Sequence, residues 1–192
     1  MACKIGETAR RPPLPRLPFQ TALLLAPLAY AIHHGEEHLL FNFREWRLRY
    51  FPDNNALSTE AVLVVLSGVT LVYLLLHATL RTRVTACAAI LFLMATQVHN
   101  ALFHLGGTIA FSDFSPGLIT ALLLYVPVNL LIARSALQEG LVTKVQLALL
   151  FLGGGALFWA FEFVGPPVLL VTTAATWLWA VGSAFRTARR AA

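Results

Sequence analysis

The sequence predicts an all-α, polytopic membrane bundle of six transmembrane helices, with a short interfacial helix after the first. Three observations carry this expectation. Only 12% of the 192 residues are charged and 58% are hydrophobic, with a mean hydropathy of +0.72, whereas a soluble domain carries about 25% charged residues. Six apolar stretches of about 20 residues each match a hydrocarbon core of roughly 30 Å. Lys and Arg lie almost wholly between and outside those stretches. Lipid offers the backbone no water to bond, so each stretch must be helical.

Residues 1–18 hold Lys4, Arg10, Arg11, Arg16 and four prolines, which suits a basic cytoplasmic tail. The apolar stretch that follows is too long for a signal-peptide core and lacks an evident cleavage site. A single transmembrane domain is expected over 19–186, with a second basic tail over 187–192. Its spans are placed at 19–40, 59–80, 85–111, 116–137, 144–163 and 166–185. Ser58 and Ser115 stand where N-caps are expected, and Pro116 at a favoured first helical position. Gly165-Pro166-Pro167 separates the last two spans, because Pro-Pro opposes a continuous helix. The segment 41–57 mixes aromatics with Arg44, Arg47 and Arg49, which suits a helix lying on the outer leaflet and covering the end of the first span. Tyr125, Pro127 and Asn129 suggest a kink and its polar partner. Gly153-Gly154-Gly155 suggests a close helix contact. His77 falls near the inner end of the second span, where an interfacial position is expected.

Orientation follows from the basic residues. Lys4, Arg10, Arg11, Arg16, Arg81, Arg83, Arg134, Lys144, Arg186, Arg189 and Arg190 fall on one side of a six-span chain, and Arg44, Arg47 and Arg49 on the other. The positive-inside rule then puts both termini in the cytoplasm, in what is expected to be a bacterial cytoplasmic membrane. The same rule explains the net charge of +5 better than nucleic-acid binding does, since the basic residues form no face of a folded domain. Two cysteines, Cys3 and Cys87, make neither a disulfide framework nor a thiolate zinc motif. The sequence does not fix an oligomeric state.

Residues 33–38 read His-His-Gly-Glu-Glu-His in the last turns of the first span. Ionisable groups at that depth cost roughly 2.5 kcal/mol or more apiece for Asp-type charges and mark functional sites by default. At about 100° per residue, Glu37 lies about 40° from His33 and Glu36 about 60° to the other side. His34 and His38 form a neighbouring i,i+4 pair. On the third span Gln97, Asn100 and His104 fall within about 60° of one another, with Thr108 close by and His99 pointing elsewhere. At about 1.5 Å rise per residue, Glu37, His104 and Glu162 all stand roughly 27–28 Å above the inner ends of their spans. One site in the outer leaflet is therefore expected.

These stretches resemble the HXXEE-domain family of small bacterial integral membrane proteins. The motif is His33-His34-Gly35-Glu36-Glu37, followed by 100–104 (Asn-Ala-Leu-Phe-His) and by 114–120 (Phe-Ser-Pro-Gly-Leu-Ile-Thr). The resemblance covers roughly residues 20–135. It implies a shared membrane fold and a shared polar site, and it names a fold more than a reaction. It favours His33, Glu36, Glu37, Asn100 and His104 as the core of the site, since His34 and His38 are not required positions in that pattern. A second match, His34-Gly-Glu-Glu37-His38, fits H-x-x-E-H, the inverted zinc-protease motif.

Three function classes fit. The first is a metal-dependent membrane enzyme holding zinc or iron, since imidazole and carboxylate ligands suit these ions. His33, Glu37 and His104 would be the ligands, with His34 and His38 as further candidates. Glu36 would be a base or second ligand, and Asn100 an orienting or oxyanion group. Gln97, Thr108, Ser115, Glu162 and Trp46 are candidate contacts to a lipophilic small molecule entering from the bilayer. Two metals are possible, although a di-iron centre usually carries more carboxylates. The second class needs no cofactor: an acid/base isomerase or cyclase of an isoprenoid or polyketide-like substrate, its paired carboxylates holding pKa values apart. The third is a metal-ion or proton-coupled carrier, against which stand the single depth of the polar groups and the lack of an inverted repeat.

Overall fold

The computed structural model of the chain describes residues 17–53 and 57–191. Cys3 and the basic residues of the amino-terminal tail lie outside the described residues. Helices account for nearly all ordered structure, and no strand occurs among the described residues.

Five helices are long and apolar enough to cross a membrane: Thr59–Leu80, Arg83–Phe111, Leu118–Gln138, Lys144–Val164 and Pro167–Arg186. They match five of the six expected spans within three residues at nearly every end. The remaining stretch, 19–40, is helical in three successive pieces and is not among the five. The pieces are α1 (Phe19–Leu23), α2 (Leu25–Gly35) and a π-helical segment π1 (Glu36–Leu40). The break falls at Leu24. Pro27, four residues after Leu23, has no N–H to give the Leu23 carbonyl, and its ring crowds that carbonyl.

The short helix expected after the first stretch is present as α3 (Phe43–Tyr50), capped by Asn42, whose side chain accepts from the Glu45 N–H. Next comes α4 (Thr59–Leu80), for which Ser58 is the N-cap, as expected, accepting from Ala61 N–H. The long helix Arg83–Phe111 consists of α5 (Arg83–Leu93), π2 (Met94–His99) and α6 (Asn100–Phe111). The span Leu118–Gln138 consists of α7 (Leu118–Thr120), π3 (Ala121–Tyr125) and α8 (Val126–Gln138). It does not begin at Ser115 and Pro116. Gly117 adopts φ 98°, a conformation that only glycine takes without strain, and the helix starts after it. Two further helices close the bundle, α9 (Lys144–Val164) and α10 (Pro167–Ala191). Gly165 separates them at φ 88°. Helix α10 continues to Ala191, through residues expected to form a tail.

The long helix Arg83–Phe111 is the hub. Over half of its apolar stretch is buried, against 11% for Pro167–Arg186, so α10 lies at the periphery. The main core gathers Phe19, Leu23, Ile90, Phe92, Leu93 and Ile132. Helix α9 packs on π2 through its glycines: a Cβ at Gly154 would come 2.5 Å from Met94 Cβ, so the expected close contact there is real. His77 is buried in the bundle, and its Nδ1 lies 2.9 Å from the Thr85 hydroxyl. Asn129 donates to the Tyr125 carbonyl at 2.9 Å, the partner expected at a kink. The helix is π-wound over π3, just ahead of Pro127.

Candidate functional site

Two of the π segments adjoin one polar cluster: π1 supplies Glu36, Glu37 and His38, and the Tyr125 ring of π3 lies 4.4 Å from that of His33. A π turn carries an extra residue, so side chains beyond it rotate relative to a regular helix, and such bulges are frequent at functional sites. The cluster lies where α2 runs into π1, against α6 and the start of α7.

His33 and Glu37 come from the first stretch and His104 from α6. They are 1%, 7% and 0% exposed. Glu37 Oε1 lies 3.4 Å from His33 Nε2 and 3.2 Å from His104 Nε2. None of these three atoms has a hydrogen-bond partner of acceptable geometry among the described residues. Buried polar groups are nearly always satisfied, so three converging exceptions require an explanation.

The far sides of both imidazoles are anchored. His33 Nδ1 lies 3.0 Å from the Thr120 hydroxyl. That hydroxyl donates to Glu36 Oε2 at 2.5 Å, and it has only one proton to give. With Glu36 as a carboxylate, His33 Nδ1 is the donor, and in the neutral ring this leaves the Nε2 lone pair facing Glu37 and His104. His104 Nδ1 pairs with the Ser115 hydroxyl at 2.8 Å, and the Ser115 N–H donates to the Thr108 hydroxyl at 2.9 Å. Ring nitrogens fixed in this way orient metal-ligating histidines.

The two adjacent glutamates differ sharply. Glu36 accepts from the Ile119 N–H at 3.2 Å and the Thr120 N–H at 2.7 Å, besides the Thr120 hydroxyl. Its carboxylate satisfies the N–H groups at the start of α7. Glu37 carries no such backbone bonds, and both its oxygens face imidazoles.

Glu37 Oε2 faces a second group. His38 Nε2 lies 3.7 Å away, and His34 is buried beside it, ring centroids 4.4 Å apart. Ligand atoms of His33, Glu37 and His104 all lie within 4.8 Å of one another, and so do those of His34, Glu37 and His38.

A cleft of about 140 Å³ opens onto Glu37 and His38. Asn100, Arg44, Arg47 and Glu162 supply its polar wall, and Val62, Leu66, Phe103 and Phe161 its apolar one. Arg47 pairs with Glu162 at 2.8 Å, so Glu162 does have a basic partner, brought by α3. The ring of Phe43 covers His104 at 5.1 Å between centroids, and α3 thus lies over the cluster as expected.

Two expected substrate contacts lie elsewhere. Gln97 is buried in a separate network, donating to the Ala26 carbonyl at 2.9 Å and accepting from Asn129 at 2.8 Å. The π2 segment ends between Gln97 and Asn100, so the angular count that grouped them with His104 does not hold. Trp46 is 2% exposed and packs among Phe43, Tyr50, Phe103 and Phe111, on the bare face of Gly107. Thr108 and Ser115 act behind His104 and do not line the cleft. His99 points away, toward Phe151.

Three residues of the site were not singled out from the sequence. Thr120 links Glu36 to His33. Gly117 presses its backbone on the cluster: a Cβ there would come within 2.8–2.9 Å of His33 Cε1, Glu37 Cγ and His104 Cε1. Glu60, at the start of α4, interacts electrostatically with both His34 and His38. The only sequence signal for the first two was their place in the 114–120 stretch.

The family described as "Protein of unknown function with HXXEE motif" matches residues 24–132. No curated protein and no solved structure matches the chain. The matched region includes α2, both histidines of the buried trio, both glutamates, Gly117 and Thr120, and it spans more than half of the sequence. The chain belongs to the HXXEE family.

Proposed function

We propose that this protein is a metal-dependent integral membrane enzyme acting on a lipophilic small molecule. The supporting observation is the convergence of His33 Nε2, His104 Nε2 and Glu37 Oε1, three buried ligand-type atoms with no hydrogen-bond partner among the described residues. Facing lone pairs repel one another in a low dielectric, and a cation relieves that repulsion. The donor set, two imidazoles and one carboxylate, suits zinc or iron and is that of open catalytic sites. Such an ion polarises a substrate carbonyl or activates water near neutral pH.

His33, Glu37 and His104 hold the ion in this reading. Glu36 positions His33 through Thr120 and anchors α7, in place of the base role open to it from sequence. Asn100, whose Oδ1 is buried without a partner, orients a polar group of the substrate in the cleft. The apolar wall takes the lipophilic remainder, which enters from the outer leaflet. A six-span topology, with 19–40 as the first crossing and both termini cytoplasmic, puts the cleft on the outer side of a bacterial cytoplasmic membrane.

One observation favours a second reading. Glu37 Oε1 lies 3.2–3.4 Å from two imidazole nitrogens, so a proton on either ring would also satisfy the cluster. That arrangement suits a metal-free acid/base isomerase or cyclase, with Glu37 and the histidines relaying the proton.

Elemental mass spectrometry on detergent-purified protein separates the two. Near-stoichiometric zinc or iron, lost in Glu37→Ala and His104→Ala, is the expected result. Well-folded protein that stays metal-free after supplementation would overturn the metal reading and direct the search to isomerisation.

A further inference from the structure

The carboxylate of Glu37 has two oxygens, and they face different histidine pairs. Oε1 faces His33 and His104. Oε2 faces His38, with His34 alongside. We infer that Glu37 bridges two cation positions: an inner one formed with His33 and His104, and an outer one formed with His34 and His38. This rests on the metal reading above and extends it to a binuclear centre.

Four observations support the outer position. The ligand atoms of His34, Glu37 and His38 fall within 4.8 Å of one another, as do those of the inner trio. His34 is 6% exposed, and its Nδ1 is buried without a hydrogen-bond partner. Glu60 supplies negative charge within electrostatic reach of both outer histidines. The bridging carboxylate itself makes none of the backbone hydrogen bonds that occupy Glu36.

The two positions differ in access. His33 and His104 are sealed, whereas Glu37 and His38 line the cleft together with Asn100. The outer cation is therefore the one a substrate reaches, and the inner one fixes the charge and orientation of Glu37. Paired ions about 3.5–4 Å apart serve hydrolytic enzymes by holding both the attacking and the leaving oxygen. The scarcity of carboxylates counts against equal affinity. One shared carboxylate leaves two dications poorly neutralised, so the outer ion binds after the inner one and more weakly.

The test is a titration of metal-free, detergent-purified protein with Co²⁺, followed by visible absorption and by calorimetry. Two sequential steps are expected, one equivalent each. The paired variant His34→Gln/His38→Gln is expected to weaken the second step at least tenfold and to leave the first within twofold. His104→Gln is expected to weaken the first. To separate lost binding from lost folding, thermal unfolding of each apo form is recorded alongside, and electron paramagnetic resonance of the two-equivalent wild type reads magnetic coupling across Glu37. A single equivalent, unaffected by the His34/His38 change and with no coupling, would overturn the outer position and leave the inner one standing. No binding at all would overturn both.

Discussion

The Thr120 hydroxyl donates to Glu36 and accepts from His33 Nδ1, at 2.5 and 3.0 Å. This one side chain converts the charge of Glu36 into a defined tautomer of His33, with the Nε2 lone pair turned to Glu37. Thr120→Val keeps the shape and removes the hydroxyl. Loss of such an outer partner lowers metal affinity by about 10–100-fold. Thr120→Ser retains the hydroxyl and is expected to stay near wild type. Competition with a chromophoric chelator measures both, and equal affinities for Val and Ser variants would exclude the relay.

Gly117 is the second lever. Its φ of 98° and the lack of space for a Cβ act together in Gly117→Ala. The left-handed backbone alone costs about 1–2 kcal/mol, and the contacts at 2.8–2.9 Å fall on His33, Glu37 and His104 themselves. The variant is expected to unfold at lower temperature and to lose metal out of proportion to that loss. Unchanged metal content would show that the cluster yields freely.

Five spans and the Ser58 cap were legible because they follow from local rules, whereas the Ser115 cap failed because Gly117 takes a positive φ and the helix starts after it. Apolar length gave five helices almost to the residue, and Ser58 and the Gly165-Pro166-Pro167 break followed from caps and proline. The depth count was equally informative: Glu37, His104 and Glu162 line or adjoin one site. The angular count was the weak link. It assumes a constant turn, and π1, π2 and π3 break that assumption at the very positions that matter. Hence Gln97 left the site and joined Ala26 and Asn129 instead. No residue pattern announces a π segment. Hydroxyl and glycine positions such as Thr120 and Gly117 were hidden for another reason: their roles depend on partners 84 residues or more away, as between Thr120 and Glu36, or on the bare backbone.

The pair between Arg47 and Glu162 fastens α3 to α9 with both side chains largely buried, 13% and 14% exposed. A hydrogen bond to a charged group contributes about 1.5–3 kcal/mol. Arg47→Met and Glu162→Leu are each expected to lose stability in that range, whereas the double variant Arg47→Met/Glu162→Leu recovers part of it, since no lone charge stays buried. Denaturation in mixed micelles measures the cycle. Simple additivity of the two single changes would show that the pair is not coupled.

Outside the spans, the Tyr50 hydroxyl donates to Asp113 at 2.9 Å. This bond raises the Tyr50 pKa above its ordinary value, and Arg49 opposes the shift only in part. The sign follows directly. A proton held more tightly in the fold contributes stability that is fully present below the unfolded tyrosine value of about 10 and is lost as pH rises through the higher folded value. In an ultraviolet titration Asp113→Asn is expected to bring one tyrosinate to lower pH than in the wild type, toward the ordinary range.

The two adjacent glutamates make the sharpest contrast. Glu36 is occupied structurally, accepting two backbone N–H groups and a hydroxyl. Glu37 is buried with an unpartnered oxygen. Glu36→Gln places an amide N–H₂ among donors and leaves at least one of them unsatisfied, a cost of about 1–3 kcal/mol. It is expected to lower the unfolding temperature even of metal-free protein. Glu37→Gln removes a buried charge that lacks backbone hydrogen bonds, so the metal-free variant is expected to be as stable as wild type or more so, while metal binding is lost. The pair of variants separates a scaffold from a site within one dipeptide. Measuring unfolding temperature with and without chelator on both decides the matter. If chelator destabilises wild type and Glu36→Gln but has no effect on Glu37→Gln, the metal is held by Glu37; if chelator changes none of the three, the cluster is a proton site.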